Sequence, residues 1–203
     1  MKLILVALSF IAAVSLYSFT ISDRYDDTET WVIKSSSSLK VDGKTNINSF
    51  SCVISTYGKT DTMSYQKKNH PLNLCTASGY LKINVNNFDC HHKVMTKDLQ
   101  KTLKSEEFPY MHIRFLTFSK SPAEASLAEK VSGNVEIELA GIKRTFEVHY
   151  QVKKNHDTQM QLKGTRAVLF SDFNLKPPSK LGGAIKVKNE LDVEFNLHLN
   201  KLD

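Results

Sequence analysis

The final stretch of the chain leaves few options for its fold. Leu191, Val193, Phe195, Leu197 and Leu199 alternate with Asp192, Glu194, Asn196, His198 and Asn200. A period of two belongs to a β-strand with one dry and one wet face, which is how antiparallel sheets pack. The same pattern fills Val131, Gly133, Val135, Ile137 and Leu139, then Phe146, Val148, Tyr150 and Val152. Ala140-Gly141-Ile142-Lys143-Arg144 separates those two runs, so they read as a hairpin. Leu81, Ile83 and Val85 alternate with Lys82, Asn84 and Asn86, whereas Asn46-Ile47-Asn48 reads as a bend before Phe50, Cys52 and Ile54.

About eight strands result, near 39–43, 47–57, 73–86, 111–119, 131–140, 144–153, 158–170 and 185–200. One segment, Met95 to Lys104, reads as helical, with Thr96 as its cap and Leu99 and Leu103 as an apolar i, i+4 pair ended by Phe108-Pro109. Single-faced strands bury that face either between two packed sheets or inside one sheet closed on itself. A barrel of about eight strands fills itself or holds one slender ligand. Alternation alone leaves these choices open.

The chain begins with Met1-Lys2 and an apolar run from Leu3 to Phe19 that ends among small residues. That is the form of a secretory signal peptide, assigned to residues 1–18, with an uncleaved anchor as the alternative. The remainder suits one domain, 31–203. The formal net charge of +6 is dispersed over short pairs such as Lys67-Lys68, Lys143-Arg144 and Lys153-Lys154. Nucleic-acid binding calls for a clustered basic face, so it is not expected; attraction to a membrane surface is compatible with this charge. Three cysteines, Cys52, Cys75 and Cys90, suggest one disulfide and one free thiol in an oxidising compartment. Cys90-His91-His92 has no zinc spacing and reads as a loop cap. No nucleophile elbow, HExxH or phosphate loop is present, so no enzyme, metal or cofactor is expected.

Trp31-Val32-Ile33 with Ser37-Ser38-Leu39; Gly43 to Asn48 before Phe50 and Cys52; Leu81 to Cys90 followed by Met95 to Leu99; Leu103 to Phe115; Val131 to Val135; Leu139 to Arg144; and Ser171 to Leu175 stand in this order along the chain. Together they resemble the YceI-like polyisoprenoid-binding family, in particular its Bacteroidetes-type variant. Asn174 stands where glycine is usual. The resemblance implies an all-β fold, an eight-stranded antiparallel lipocalin-like barrel with one short helix, holding an isoprenoid-type lipid or quinone. It also favours pairing Cys52 with Cys90.

On that reading the inward-phase side chains are pocket walls: Ile83, Val85, Ile113, Phe115, Val135, Ile137, Phe146, Val148, Tyr150, Leu162, Val193, Phe195 and Leu197. The alternative is that they pack solid. Arg166 shares the phase of Met160, Leu162, Gly164 and Val168, which places it indoors, where a guanidinium needs an anion such as phosphate. A bulge shifting the register to Ala167 and Leu169 would instead turn it outward. A rival function is a filled barrel acting through the polar stretches Tyr57–Pro71 and Pro122–Lys130.

Overall fold

The structure, a computed structural model, describes residues 28–67, 74–126 and 129–202. The expected signal peptide lies outside them. The strands are β1 (Thr28–Ile33), β2 (Ser38–Thr45), β3 (Ser49–Ile54), β4 (Asp61–Lys67), β5 (Cys75–Asn84), β6 (Tyr110–Phe115) and β7 (Thr117–Phe118). They continue with β8 (Lys130–Leu139), β9 (Ile142–His156), β10 (Gln159–Leu169), β11 (Ser179–Lys180) and β12 (Ile185–Lys201). The one α-helix among the described residues, α1, spans Lys93–Thr102.

Every pairing is antiparallel, and the order β1-β4-β5-β6-β8-β9-β10-β12 closes on itself because β12 also pairs with β1. The ring is a barrel of eight staves. β1 and β2 follow one another along the same side of β12, at Trp31↔Lys201 and Leu39↔Phe195 respectively. β3 and β4 do likewise along β2 and β1. Each of these two staves is therefore one strand bent in the middle.

Local chemistry accounts for the turns. Asn46-Ile47-Asn48 is the tip of the β2–β3 hairpin rather than a bend within a strand, with Thr45 Oγ1 accepting from the amides of Ile47 (3.1 Å) and Asn48 (2.9 Å). Ala140 and Gly141 form a two-residue hairpin with both φ values positive, 50° and 77°. The right-handed twist of the strands favours that turn, and glycine tolerates it. A Cβ at Gly141 would also lie 2.9 Å from the Phe108 ring. Asn174, at φ 55°, takes the left-handed position after a 3-10 turn at Phe170–Phe173, a conformation that asparagine tolerates.

Two readings are corrected. Tyr57–Pro71 is not one polar loop: Asp61–Lys67 is β4, whose Met63 and Tyr65 are buried beside half-buried Ser64. In the second rival stretch, Pro122 and Ala125 are buried, whereas Glu124, Ser126, Glu129 and Lys130 are exposed. Helix α1 begins at Lys93, two residues early, with His92 at the cap and no side-chain capping bond. Thr96 sits inside the helix and accepts the Cys90 amide at 3.0 Å. In the first turn Lys93 and Val94 are exposed, and its apolar residues Val94 and Met95 give no inward stripe to mark the start.

Candidate functional site

One half of the barrel is plugged. Phe118 lies at its centre, with the Tyr65 ring at 6.0 Å and the Tyr150 ring at 5.5 Å, both edge-on, and Phe115 at 6.3 Å. Fully buried Trp31, Ile33, Met63, Leu162 and Leu199 fill the surrounding space. Gly133 lets this plug form: a Cβ there would sit 2.3 Å from the Thr117 carbonyl oxygen, so only glycine admits β7 so close. Burial pushes the Tyr65 and Tyr150 hydroxyls above their ordinary range, and for Tyr65 the neighbouring Glu29 carboxylate adds to the rise. Tyr65 donates to Glu29 Oε2 at 2.8 Å, and Trp31 Nε1 donates to the same oxygen at 3.2 Å.

The other half is roofed by α1 and is not full. A cavity of about 60 Å³ remains there. Its walls are Leu39 and Val41 of β2, Met111 and Ile113 of β6, Ile137 and Leu139 of β8, Val168 of β10, and Leu191, Val193 and Phe195 of β12. Leu99 of α1 and Leu103 roof it, with Phe88, which follows a 3-10 turn at Val85–Asn87, and Phe173 of the turn at Phe170–Phe173. Among the described residues, no polar side chain lines it. The space accepts about four or five water-sized groups, yet offers water no partner, so it suits an apolar occupant.

Leu99 also borders a second hollow of about 240 Å³ on the far side of α1. Phe50, Cys52, Met95, Phe170 and Val187 line it, with Ile47 and Val94 on its margin, exposed by 66% and 54%. Lys180 and Asp98 pair across it at 2.7 Å. Helix α1 is thus the partition between inner cavity and outer groove. Cys52 and Cys90, the pair the resemblance favoured, are joined by a disulfide; the antiparallel bridge Val53↔Asp89 lies beside it. Together they fasten the chain entering α1 to β3. Cys75 is buried and lies outside the disulfide. Cys90-His91-His92 leads into α1, with the Cys90 sulfur in the disulfide and His92 at the helix cap. Among the described residues no group of three or more His, Cys, Asp or Glu side chains could hold a metal ion.

Of the expected walls, Ile113, Ile137, Val193 and Phe195 line the inner cavity. Ile83 and Leu197 instead border a cleft of about 20 Å³ near Tyr57. Val85, Phe115, Val135, Phe146, Val148, Tyr150 and Leu162 are buried but reach neither space. Leu39, Val41, Met111, Val168 and Leu191 were passed over. They sit in alternating strands at the same inward phase, and only the position of the roof singles them out. Phe108 packs on Gly141, and exposed Tyr110 lies under Lys82 Nζ, 4.0 Å from its ring centre, so neither blocks the cavity.

The bulge expected to turn Arg166 outward does not form. β10 and β12 stay in register from Gln159↔Asn200 to Leu169↔Glu190, with Arg166 opposite Val193, and Ala167 and Leu169 take the exposed phase. Arg166 is half-buried, with its guanidinium carbon 5.6 Å from the centre of the Phe146 ring.

Comparison with solved structures agrees on the architecture. BcnA of Burkholderia cenocepacia is 18% identical, with 80% of this chain and 95% of that one covered at a TM-score of 0.57. A polyisoprenoid binding domain from Saccharophagus degradans, implicated in plant cell wall breakdown, is 11% identical, with 85% and 98% covered at a TM-score of 0.58. No curated protein matches this chain. Residues 31–199 match the YceI-like domain, and the chain belongs to that family.

Proposed function

We propose that this protein is an exported lipid-binding protein whose helix-roofed half receives one slender apolar chain of isoprenoid type. The observation that carries the reading is the inner cavity, which no polar side chain among the described residues lines. Its present volume matches roughly the five carbons of one isoprene unit. A longer tail enters by displacing the roof, where Leu99 separates cavity from groove and flexible Met111 gives way most easily. Each methylene brought in from water contributes about 0.8 kcal/mol, so a few isoprene units bind firmly without any specific polar contact. Membership of a family with a polyisoprenoid-binding neighbour of the same fold supports the ligand class. The N-terminal apolar segment and the disulfide support export, and membership of the YceI-like family supports binding over catalysis.

Organic extraction of natively purified protein, read by mass spectrometry, tests the reading. An apolar chain in stoichiometric amount is expected, and repeatedly lipid-free protein overturns it. The rival, a filled barrel acting through its surface, draws support from the plugged half; lipid-free protein that retains a partner protein would favour it.

A further inference from the structure

The barrel wall parts between β9 and β10. β9 and β10 pair from Gln159↔His156 only as far as Thr165↔His149. Beyond that point β9 pairs on its other side with β8 as far as Ile142, while β10 continues along β12 as far as Leu169. Arg166 is the first residue of β10 past the split. Its Nε is buried without a hydrogen-bond partner, and among the described residues it forms no ion pair, only the contact with Phe146. A guanidinium is always charged, and a buried donor left unpaired is costly, so this arrangement is incomplete by itself.

The surroundings show from which side a partner comes. Val168 on the same strand and Val193 directly opposite both line the inner cavity. Phe146, beneath the guanidinium, meets the cavity residue Phe173 at 5.9 Å. The solvent side differs: Arg166 and Val193 also border a shallow outer hollow, and there Asp42, Asp192 and Glu194 line it with them, together with His149. Those carboxylates repel a free anion approaching from solvent, but not a head delivered from within on an apolar tail.

We infer that Arg166 anchors the anionic head, phosphate or carboxylate, of the lipid whose tail fills the inner cavity, at the seam between β9 and β10. The inference rests on the lipid-binding reading above and adds the head's charge and position. The ligand then runs from the α1 roof to the side wall, and Phe146 and Phe173 are the rings that shift to admit it. The planar guanidinium fork suits both head types because each offers two oxygens to it.

Calorimetric titration of the disulfide-intact protein with farnesol, farnesoic acid, farnesyl phosphate and inorganic phosphate tests this, in wild type, Arg166→Gln and Arg166→Lys. Wild type is expected to bind both charged probes at least about tenfold tighter than farnesol and to ignore inorganic phosphate, as a charge-assisted hydrogen bond implies. Arg166→Gln should bring the three farnesyl probes together, and Arg166→Lys should keep part of the preference. Equal binding of the three by wild type, or a preference that survives Arg166→Gln, overturns the anchor and leaves the lipid-binding reading intact. Binding of inorganic phosphate would make the site one for free anions and overturn the lipid head. No binding of any probe sinks both. Thermal unfolding of each variant checks that it folds; if Arg166→Gln does not, Arg166→Met takes its place.

Discussion

The two halves of this barrel share β6, β8, β10 and β12 and the same alternation, yet they end in opposite states. At the plugged end, β7 folds inward against Gly133 and delivers Phe118 to the axis, where Tyr65, Phe115 and Tyr150 close around it. At the roofed end the inward residues are mostly Leu, Ile, Val and Met, and the lid is a helix that meets the barrel through Leu99 with Leu103 just beyond. Aromatic rings span the interior from one wall; aliphatic side chains of opposite walls do not meet, and a lid laid across them leaves space. The difference separates the part of the molecule that holds the fold from the part that can open.

That division predicts unequal responses to truncation. Phe118→Ala should cost about 3–5 kcal/mol in urea unfolding, because rings fixed on three sides cannot collapse into the void. The bound lipid should stay in place in whatever fraction remains folded. A cost as small as that of a roof substitution would mean that the plug is not the keystone of this half.

Replacing both Cys52 and Cys90 by alanine probes the roof's fastening. The bridge closes a loop with a sequence separation of 38, for which chain entropy gives about 3–4 kcal/mol. Loss of stability should come with faster exchange of α1 amides and faster lipid release, since the tether holds the start of the partition. Slow release after removal would show that α1 is not the gate.

Leu99→Ala is expected to cost only about 2 kcal/mol, the low end for leucine truncation, because its side chain already borders free space on both sides of α1. It should bind farnesol more tightly by joining cavity to groove, and Leu99→Trp should fill the cavity and weaken that binding. Unchanged affinity in both variants would place the tail elsewhere.

Much of the architecture was legible in the sequence because period two is a direct record of a sheet with one buried face. β8 and β12 could be read almost to the residue; β9 runs beyond the 144–153 expected at both ends, and the link at Ala140–Arg144 shortens to the two residues Ala140 and Gly141. β4 was missed because its inward residues, Met63 and Tyr65, stand in a short run among Thr62, Ser64 and Gln66, which is as polar as a loop. The site was legible only in part. Phe115 and Ile113 share one phase on one strand, but Phe115 is committed to the plug and Ile113 faces the cavity. Phase says which face a residue occupies; the level along the barrel axis comes from shear and from the lid, and neither is written in a single strand. Arg166 is the converse case: its inward phase was readable, but the split that leaves it unpaired depends on where two distant strands stop pairing.

The smallest effect tests the polar margin of the plug. The Tyr65 hydroxyl gives Glu29 a hydrogen bond whose loss in Tyr65→Phe should cost about 1 kcal/mol near neutral pH. Burial holds the hydroxyl in its neutral form, so its folded pKa lies above that of the unfolded chain. Such a group contributes stability that is complete below the unfolded value, about 10, and is lost as pH rises beyond it. The gap between wild type and Tyr65→Phe in urea midpoints should therefore shrink above about pH 10 and then reverse, because phenylalanine has no proton to lose. The roofed half buries no tyrosine against its cavity, so lipid affinity over the same range should not follow that change. An affinity that falls in step with it would show that the two halves are coupled, and that opening the roof loosens the plug.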